Sequence, residues 1–196
     1  MTIRPYGPAD FDAVSRVCLL TAASGEDATG RHISDELMPD IFARPYVLFE
    51  PEWAFVVDEG SVNGYILCAP DTRAFVSRYR DEWLAVLAAR YEHVDPPVTH
   101  DEVIRHLGFW PERMLIPEVD EYPAHLHIDL LPSLQGRGYG RRLIETLTDA
   151  LRGAGIHGLH LSMDPANTRA RAFYDRLGFE ELASSTPSSP VLGMRL

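Results

Sequence analysis

The chain has 196 residues, of which 45% are hydrophobic and 24% charged, a composition typical of a folded globular protein rather than a disordered one. This length is sufficient for one domain with a sizeable core, and we expect a single domain over residues 1–196. The formal net charge of −11 argues against nucleic acid as a partner, because such binding needs lysine and arginine to neutralise phosphates.

The sequence contains no signal for a membrane or for an oxidising compartment. No apolar run reaches the ~20 residues of a membrane span, and the first ten residues lack the apolar core of a secretion signal. Cys18 and Cys68 each lie in an apolar run, where two buried thiols are a simpler interpretation than a disulfide. We therefore expect a cytoplasmic monomer or homodimer without a membrane partner.

The first 69 residues predict a short strand, two helices and a β-hairpin. Apolar residues at helical spacing after Asp10 indicate the first helix, and two β-rich runs around an Asp-Glu-Gly turn indicate the hairpin. In chain order, the predicted elements are a strand at 2–4, a helix from Pro8 to about Ala23, a helix at 34–42 that ends before Pro45, and hairpin strands at 53–57 and 63–68.

Residues 70–123 differ from the segments around them. An apolar stripe predicts a helix over 75–91, two prolines end it, and a shorter helix is expected over 100–107. Since no linker marks a boundary, this segment is interpreted as an insertion that packs on the main sheet.

The last third of the chain alternates strands and helices. Its predicted elements are a strand at 124–131, a helix at 141–152, a strand at 158–163, a helix at 168–177, and a terminal strand pair at 179–183 and 191–196.

A glycine-rich loop follows the strand that ends near Leu131. Glycines let the backbone turn tightly and approach a ligand, and the free N–H groups of the following helix add a site for an anion. The motif is neither a P-loop, which needs Gly-Lys-Ser/Thr, nor a dinucleotide fingerprint, because its glycines are spaced G-x-G-x-G. The loop and the start of its helix are Gln135, Gly136, Arg137, Gly138, Tyr139, Gly140 and Arg141.

Two motifs together resemble the GNAT superfamily of acyl-CoA-dependent N-acetyltransferases. They are Q-x-x-G-x-G in the loop and N-x-x-A-x-x-F-Y-x-x-x-G-F from Asn167 to Phe179. The run HIDLLP with its long preceding insertion is similar to the acetyltransferase-like domain associated with O-GlcNAcases. The resemblance implies an α/β (α+β) fold, with a mixed, mostly antiparallel central sheet flanked by helices and a helical insertion before the central strand. It also implies acetyl transfer from acetyl-CoA, as cosubstrate, to a primary amine.

The resemblance further implies roles for particular residues. Asn167 would bond the cofactor arm, and Tyr174 would donate a proton to the departing CoA sulfur. The backbone of the central strand would pair with the pantetheine arm, and the loop would hold the pyrophosphate. These cofactor-binding positions are Ile128, Leu130, Gln135, Gly136, Arg137, Gly138, Gly140 and Arg141.

The general base is not specified by these motifs. His125, His127 and Asp129 alternate onto one face of the central strand, so each is a candidate for the proton of the amine. His127 has the best-suited ordinary pKa and Asp129 is the second choice, while the alternative is that these groups only satisfy buried polar atoms. Further candidates just upstream are Glu118, Asp120, Glu121 and Tyr122.

Other functions stay open at this point. The run His125-x-His127-x-Asp129 resembles the start of a metallo-β-lactamase ligand set, with His157 and His160 as later ligands, which would make the protein a metal-dependent hydrolase. The domain could also bind acyl-CoA without transferring it. The acceptor is either a small molecule or a protein lysine, and residues 70–123 are expected to shape its site. The aromatic candidates there are Trp83, Tyr91, Trp110 and Tyr122.

Overall fold

The computed structural model describes residues 2–196 and contains a seven-stranded sheet with helices on both faces. The strands are β1 (Thr2–Pro5), β2 (Ala54–Asp58), β3 (Val62–Ala69), β4 (Ala124–Leu130), β5 (Gly158–Ser162), β6 (Glu180–Glu181) and β7 (Val191–Arg195). The helices are α1 (Phe11–Leu19), α2 (Leu37–Phe42), α3 (Arg44–Phe49), α4 (Thr72–Arg78), α5 (Leu84–Ala88), α6 (His100–Phe109), α7 (Tyr139–Gly153) and α8 (Thr168–Asp175). A single π-helical stretch, Tyr79–Trp83, joins α4 to α5.

The sheet is mixed and mostly antiparallel, as predicted. The strand order is β1-β2-β3-β4-β5-β7-β6, and β4 with β5 is its parallel pair. Side chains that alternate along β3 bury into two different cores: Tyr65 and Leu67 face the helices α1 to α5, whereas Ile66 and Cys68 face α7 and α8. The sheet is therefore covered on both faces. None of the described helices, residues 2–196, combines the length and apolarity that a bilayer crossing needs.

The parallel pair β4–β5 is short, and the two strands separate along most of their length. Pairing is limited to Ala124 with Leu159 and His125 with His160. On its other side β4 pairs with β3 over six residues, from His125 to Leu130. The edge of β4 that faces β5 is thus open beyond His125.

Successive residues of β4 direct their backbone N–H and C=O groups alternately toward β3 and toward the open edge, and the hydrogen bonds to β3 show which residues do which. The N–H of Leu131 donates to the Asn63 carbonyl at 2.9 Å, so residues 131, 129 and 127 direct their backbone polar groups toward β3. The groups of Ile128 and Leu130 alternate with these and point to the opposite side, into the opening between β4 and β5.

The predicted elements are present with shifted ends. The insertion predicted over residues 70–123 is helical as expected, and the last two strands pair antiparallel. The helix predicted over 34–42 ends at Phe42, before Pro45, as expected. The separate helix α3 was not predicted, and Pro45 occupies its first turn, where its missing N–H costs no hydrogen bond. Cys18 and Cys68 are buried free thiols, as predicted.

Gly158→Ala should destabilise the protein strongly. A Cβ at this position would clash with the backbone carbonyl oxygen of Glu121 and approach the Cα of Tyr122 to 3.2 Å, and neither backbone atom can move aside cheaply. We expect the free energy of unfolding, measured by urea titration, to fall by about 3 kcal/mol. The matched control is Gly153→Ala at the end of α7, where a Cβ meets nothing within 4 Å and should be neutral or stabilise by about 0.5 kcal/mol. Equal stability of the two variants would contradict the close packing at Gly158.

Candidate functional site

A cleft of about 890 Å³ opens where β4 leaves β5. Its walls come from β4, the glycine loop, α8 and a segment just after α1. Ten predicted site residues line it: Ile128, Asp129, Leu130, Gln135, Gly136, Gly138, Gly140, Arg141, Asn167 and Tyr174. The other predicted residues do not: Arg137, His125, His127 and the upstream base candidates Glu118, Asp120, Glu121 and Tyr122. The structure therefore brings together two motifs that are about 30 residues apart in the chain.

The glycine loop presents accessible backbone amides. Gly136 and Gly138 have φ angles of 70° and 82°, a region that L side chains rarely adopt, and a Cβ at either position would meet nothing within 4 Å. Within residues 2–196, the N–H groups of Gly136, Gly138 and Gly140 have no backbone acceptor. Together with the N-terminus of α7, a helix of 15 residues, they form a concentration of unpaired donors suited to an anion.

Gly140 serves packing. A Cβ there would come within 3.0 to 3.1 Å of the Phe173 ring, so glycine lets the first turn of α7 approach α8 closely. Since Phe173 also lines the cleft, this contact fixes the distance between the loop and the α8 wall.

Gln135 and Arg137 have contacts that the sequence did not predict. The backbone N–H of Gln135 donates to the Pro132 carbonyl at 3.2 Å, and its side chain donates to the Leu130 carbonyl at 3.1 Å. Arg137 forms an ion pair with Glu59 at 3.4 Å and donates to the Ser133 carbonyl. Gln135 thus fastens the loop to the end of β4, and Arg137 fastens it to the β2–β3 turn.

Asn167 lies at the start of α8. Its side-chain oxygen accepts the Ala170 N–H at 3.0 Å, which caps the helix. The oxygen is therefore occupied, and the Nδ2 group remains to donate to another partner. Gly25 lies next to it: a Cβ on this glycine would be 3.9 Å from Nδ2.

Tyr174 and Asp129 form the titratable pair of the cleft. Tyr174 is buried between Phe173 and Phe179, and burial, followed by the negative charge of Asp129, raises the pKa of its phenol. Its hydroxyl is therefore protonated at neutral pH and can act as a proton donor. Burial also raises the pKa of Asp129, whose Oδ2 accepts the Tyr65 hydroxyl at 2.5 Å. A carboxylate with a raised pKa is a stronger base than an exposed one.

His125 and His127 share a buried hydrogen-bond chain behind β4. The Thr72 hydroxyl donates to the Pro123 carbonyl at 2.7 Å and lies 2.8 Å from His125 Nδ1, so this nitrogen carries the proton. His125 Nε2 then accepts the Tyr46 hydroxyl at 2.8 Å, and the Tyr46 oxygen accepts the His127 Nε2–H at 3.1 Å. The tautomers of both histidines follow from this chain.

The same chain makes His127 a poor base. Burial, followed by the charge of Arg113, lowers the pKa of His127 to about 3, and burial lowers that of His125 well below its usual value. A proton passed inward from His127 through Tyr46 would reach a ring that resists it even more. Of the predicted bases, the geometry favours Asp129, and the two histidines act as the buried polar groups that the sequence left as an alternative.

One wall of the cleft was missed by sequence reasoning. It consists of Thr21, Ser24, Gly25 and Glu26, which follow α1. Ser24 Oγ donates to Asp164 Oδ2 at 2.5 Å and thereby joins this segment to the loop before α8. The contact spans 140 residues of sequence, and no local pattern indicates it.

The insertion lies elsewhere. Residues 70–123 supply none of the side chains that line the cleft, so their expected part in shaping the acceptor site remains a prediction without a contact in support. Within residues 2–196, no three histidine, cysteine, aspartate or glutamate side chains are placed to share a metal ion. The metal-hydrolase alternative, with His125, His127 and Asp129 as ligands, therefore lacks a donor set.

Comparison with known proteins agrees with this geometry. The model of the acetyltransferase (GNAT) family matches residues 29–179, so the chain belongs to the GNAT acetyltransferase family. The crystal structure of SsHAT is 51% identical in sequence, superposes with a TM-score of 0.93, and the match covers 99% of this chain and 97% of SsHAT. The fold and the family that the sequence predicted are both confirmed.

Two further relatives are more distant. Protein O-GlcNAcase of Rattus norvegicus is 24% identical over 189 residues, which are 93% of this chain and 20% of the relative. The chain thus spans about a fifth of that protein. YncA of Salmonella typhimurium, solved with its cofactor acetyl-CoA, is 16% identical in sequence and superposes with a TM-score of 0.56. The match covers 100% of this chain and 93% of YncA, and it shows that the two share a fold.

His127→Gln should flatten the dependence of stability on pH. The unfolded ring titrates near pH 6.5, whereas the folded pKa is about 3, so below pH 6.5 the unfolded state binds more protons and stability falls. Between pH 7 and pH 5, His127 should account for about 2 kcal/mol of lost unfolding free energy, at about 1.4 kcal/mol per pH unit. Urea titrations at the two pH values should show a loss smaller by this amount in the variant.

The control for this measurement is His157→Gln, which removes an exposed histidine. This variant gives the reference for the loss of a histidine that is exposed to solvent. If His127→Gln behaved in the same way, the neutral buried state of His127 would be wrong.

Proposed function

We propose that the protein transfers the acetyl group of acetyl-CoA to a primary amine. The observation that carries this proposal is the continuity of the open edge of β4 with the unpaired amides of the glycine loop, in one cleft with Asp129 and Tyr174. Membership of the GNAT family supports the acetyl transfer, and the chemistry of the cleft supports the amine.

The chain has the groups that acetyl-CoA needs. The backbone groups of Ile128 point into the opening and can pair with the amides of the pantetheine arm, as a further strand would. The Leu130 carbonyl accepts the Gln135 side-chain N–H, which leaves the Leu130 N–H for the acyl end of acetyl-CoA. The amides of Gly136, Gly138 and Gly140 would hold the pyrophosphate, with Arg141 adding positive charge. The Nδ2 group of Asn167 is left to donate to the arm. These positions are among the ones expected from the sequence; the exceptions are the Gln135 amide, which donates to Pro132, and Arg137, which does not line the cleft.

The residues of the cleft divide the chemistry between them. Acetyl-CoA supplies an acyl group activated as a thioester. Asp129 removes one proton from the ammonium form of the acceptor, and the freed electron pair forms the new C–N bond. The backbone N–H of Leu130 stabilises the negative charge that develops on the carbonyl oxygen. Binding both substrates side by side supplies proximity.

The second half of the reaction uses Tyr174. As the C–S bond breaks, its electron pair stays on sulfur, and Tyr174 donates the phenolic proton to it. The nitrogen then loses its second proton, which restores the phenol, and Asp129 releases its proton to solvent. One ammonium and one thioester thus give one amide, one thiol and one proton.

Tyr174→Phe should separate binding from transfer. Loss of the phenolic proton removes the general acid, and we expect kcat for acetyl transfer, followed by release of free thiol, to fall about a hundredfold. Acetyl-CoA binding, measured by calorimetry, should change less than twofold because the ring and its packing remain. The matched control is Tyr122→Phe, which removes a buried hydroxyl outside the cleft. No heat of acetyl-CoA binding in the unmodified protein would refute the proposed function, and unchanged transfer by Tyr174→Phe would refute the assigned acid.

Asp129→Asn should remove the base and leave the fold intact. The amide oxygen of asparagine can still accept the Tyr65 hydroxyl, so we expect kcat to fall about a hundredfold with little change in stability. In the unmodified protein, kcat/KM should rise with pH as Asp129, whose pKa is raised by burial, loses its proton. The variant should not show this rise. His127→Gln is the comparison: a loss of kcat as large as that of Asp129→Asn would make His127 the base instead.

A further inference from the structure

The charges of the cleft are not paired with one another. Asp129 and Glu26 both line it, and within residues 2–196 neither carboxylate lies within 4 Å of a basic group. Arg169 and Arg176, on α8, also line the cleft and likewise have no acidic partner among the described residues. The α8 wall is therefore positive, and the wall that follows α1 carries the negative charge of Glu26. Unpaired charges that face one cleft indicate ligands of the opposite sign.

A tight turn holds Glu26 in this wall. Ala23 and Glu26 exchange two backbone hydrogen bonds of 3.0 Å, and the residues between them, Ser24 and Gly25, have φ angles of 54° and 93°. The Gly25 N–H donates to the Thr21 carbonyl at 2.8 Å, which keeps the turn against the end of α1.

Thr21 links this turn to the reacting centre. Its hydroxyl donates to the Val17 carbonyl at 2.8 Å, which fixes Thr21 at the end of α1, and both Thr21 and Asp129 line the cleft. Glu26 thus follows, after one short turn, a residue that shares the cleft with the carboxylate that we assign as the base.

The two carboxylates need different partners. Asp129 removes the proton of the reacting nitrogen and then no longer holds a cation. The Glu26 side chain lines the same cleft, has no side-chain partner among the described residues, and is available to a second group. We propose that the acceptor is a small aliphatic diamine, whose first nitrogen reacts at Asp129 while its second ammonium lies against Glu26. This inference rests on the proposed function.

The size of the acceptor follows from the turn. Ser24 Oγ donates to Asp164 Oδ2, so the segment after α1 reaches the loop before α8 and closes this side of the cleft. The remaining volume, within a cleft of about 890 Å³, is shared with the pantetheine arm. A short flexible dication fits this space better than a side chain presented by a folded protein.

A thiol-release assay with three amines of equal length tests the charge of the acceptor. The probes are 1,4-diaminobutane, n-butylamine and 4-aminobutanoate, which present a second positive charge, none and a negative charge. We expect kcat/KM to decrease in that order, by about fivefold at each step, the size expected of one solvent-accessible ion pair. Raising NaCl from 50 to 500 mM should reduce the differences, because salt screens such pairs.

Substitutions at Glu26 test the assigned residue. In Glu26→Gln, the ratio of kcat/KM for the diamine to that for butylamine should fall about fivefold, toward one. Glu26→Lys should reverse the order and favour 4-aminobutanoate. The control is Asp12→Asn, which removes one negative charge from the exposed face of α1, outside the cleft, and should leave the ratio unchanged.

The outcomes separate this inference from the proposed function. Equal kcat/KM for the diamine and butylamine, or the same change of ratio in Asp12→Asn as in Glu26→Gln, would overturn the diamine acceptor and leave amine acetylation standing. Release of thiol with none of the three amines would overturn the diamine acceptor. If calorimetry also showed no binding of acetyl-CoA, the proposed function would fail as well.

Discussion

The site depends on the early separation of β4 from β5. Two residue pairs, Ala124 with Leu159 and His125 with His160, join the two strands. Beyond them β4 stays paired with β3, and β5 pairs with β7 over five residues. A strand edge with free N–H and C=O groups is normally a liability, because it invites pairing with another chain. Here it lies in the cleft, where the glycine loop and α8 form the neighbouring walls. The free edge is thus available to an extended ligand and protected from other strands.

Successive side chains of β4 point to opposite faces of the sheet, so the two faces and the open edge of this strand have different roles. Leu126 packs on the α7 side, whereas His125 and His127 lie on the other face, where the Tyr46 hydroxyl joins them. An unpaired polar group in such a buried place costs about 1–3 kcal/mol, and the hydrogen bonds from Thr72 through His125 and Tyr46 to His127 Nε2 avoid this cost. Asp129 is the side chain on this face that reaches the cleft, and it does so near the end of the strand.

The local parts of this architecture could be predicted from the sequence. The cofactor side of the cleft comes from residues 124–177, where strand, loop and helix follow one another and each has its own pattern. The parts that could not be predicted are non-local. The wall of Thr21 to Glu26 depends on a contact with Asp164, and the Arg137–Glu59 pair joins the loop to a distant hairpin turn. The sequence also could not predict that His127 is a weak base, because its pKa is lowered by burial and by Arg113 rather than by its neighbours in sequence.

The two halves of the cleft are held by different kinds of interaction. The cofactor half rests on the sheet, on α7 and on glycine conformations, and few of its side chains can change without loss of the backbone geometry. The acceptor half rests on one turn, whose Ser24 is the single non-glycine residue at positive φ among residues 2–196. Such a conformation costs of order 1 kcal/mol or more, and the hydrogen bonds to Asp164 and Thr21 offset it. This turn packs against the end of α1 and the loop before α8, and the side chain of Glu26 is exposed, so it can vary without disturbing the backbone of β4 and the glycine loop. Under the proposed function, a substitution at Glu26 would therefore change the acceptor and retain the residues assigned to acetyl transfer.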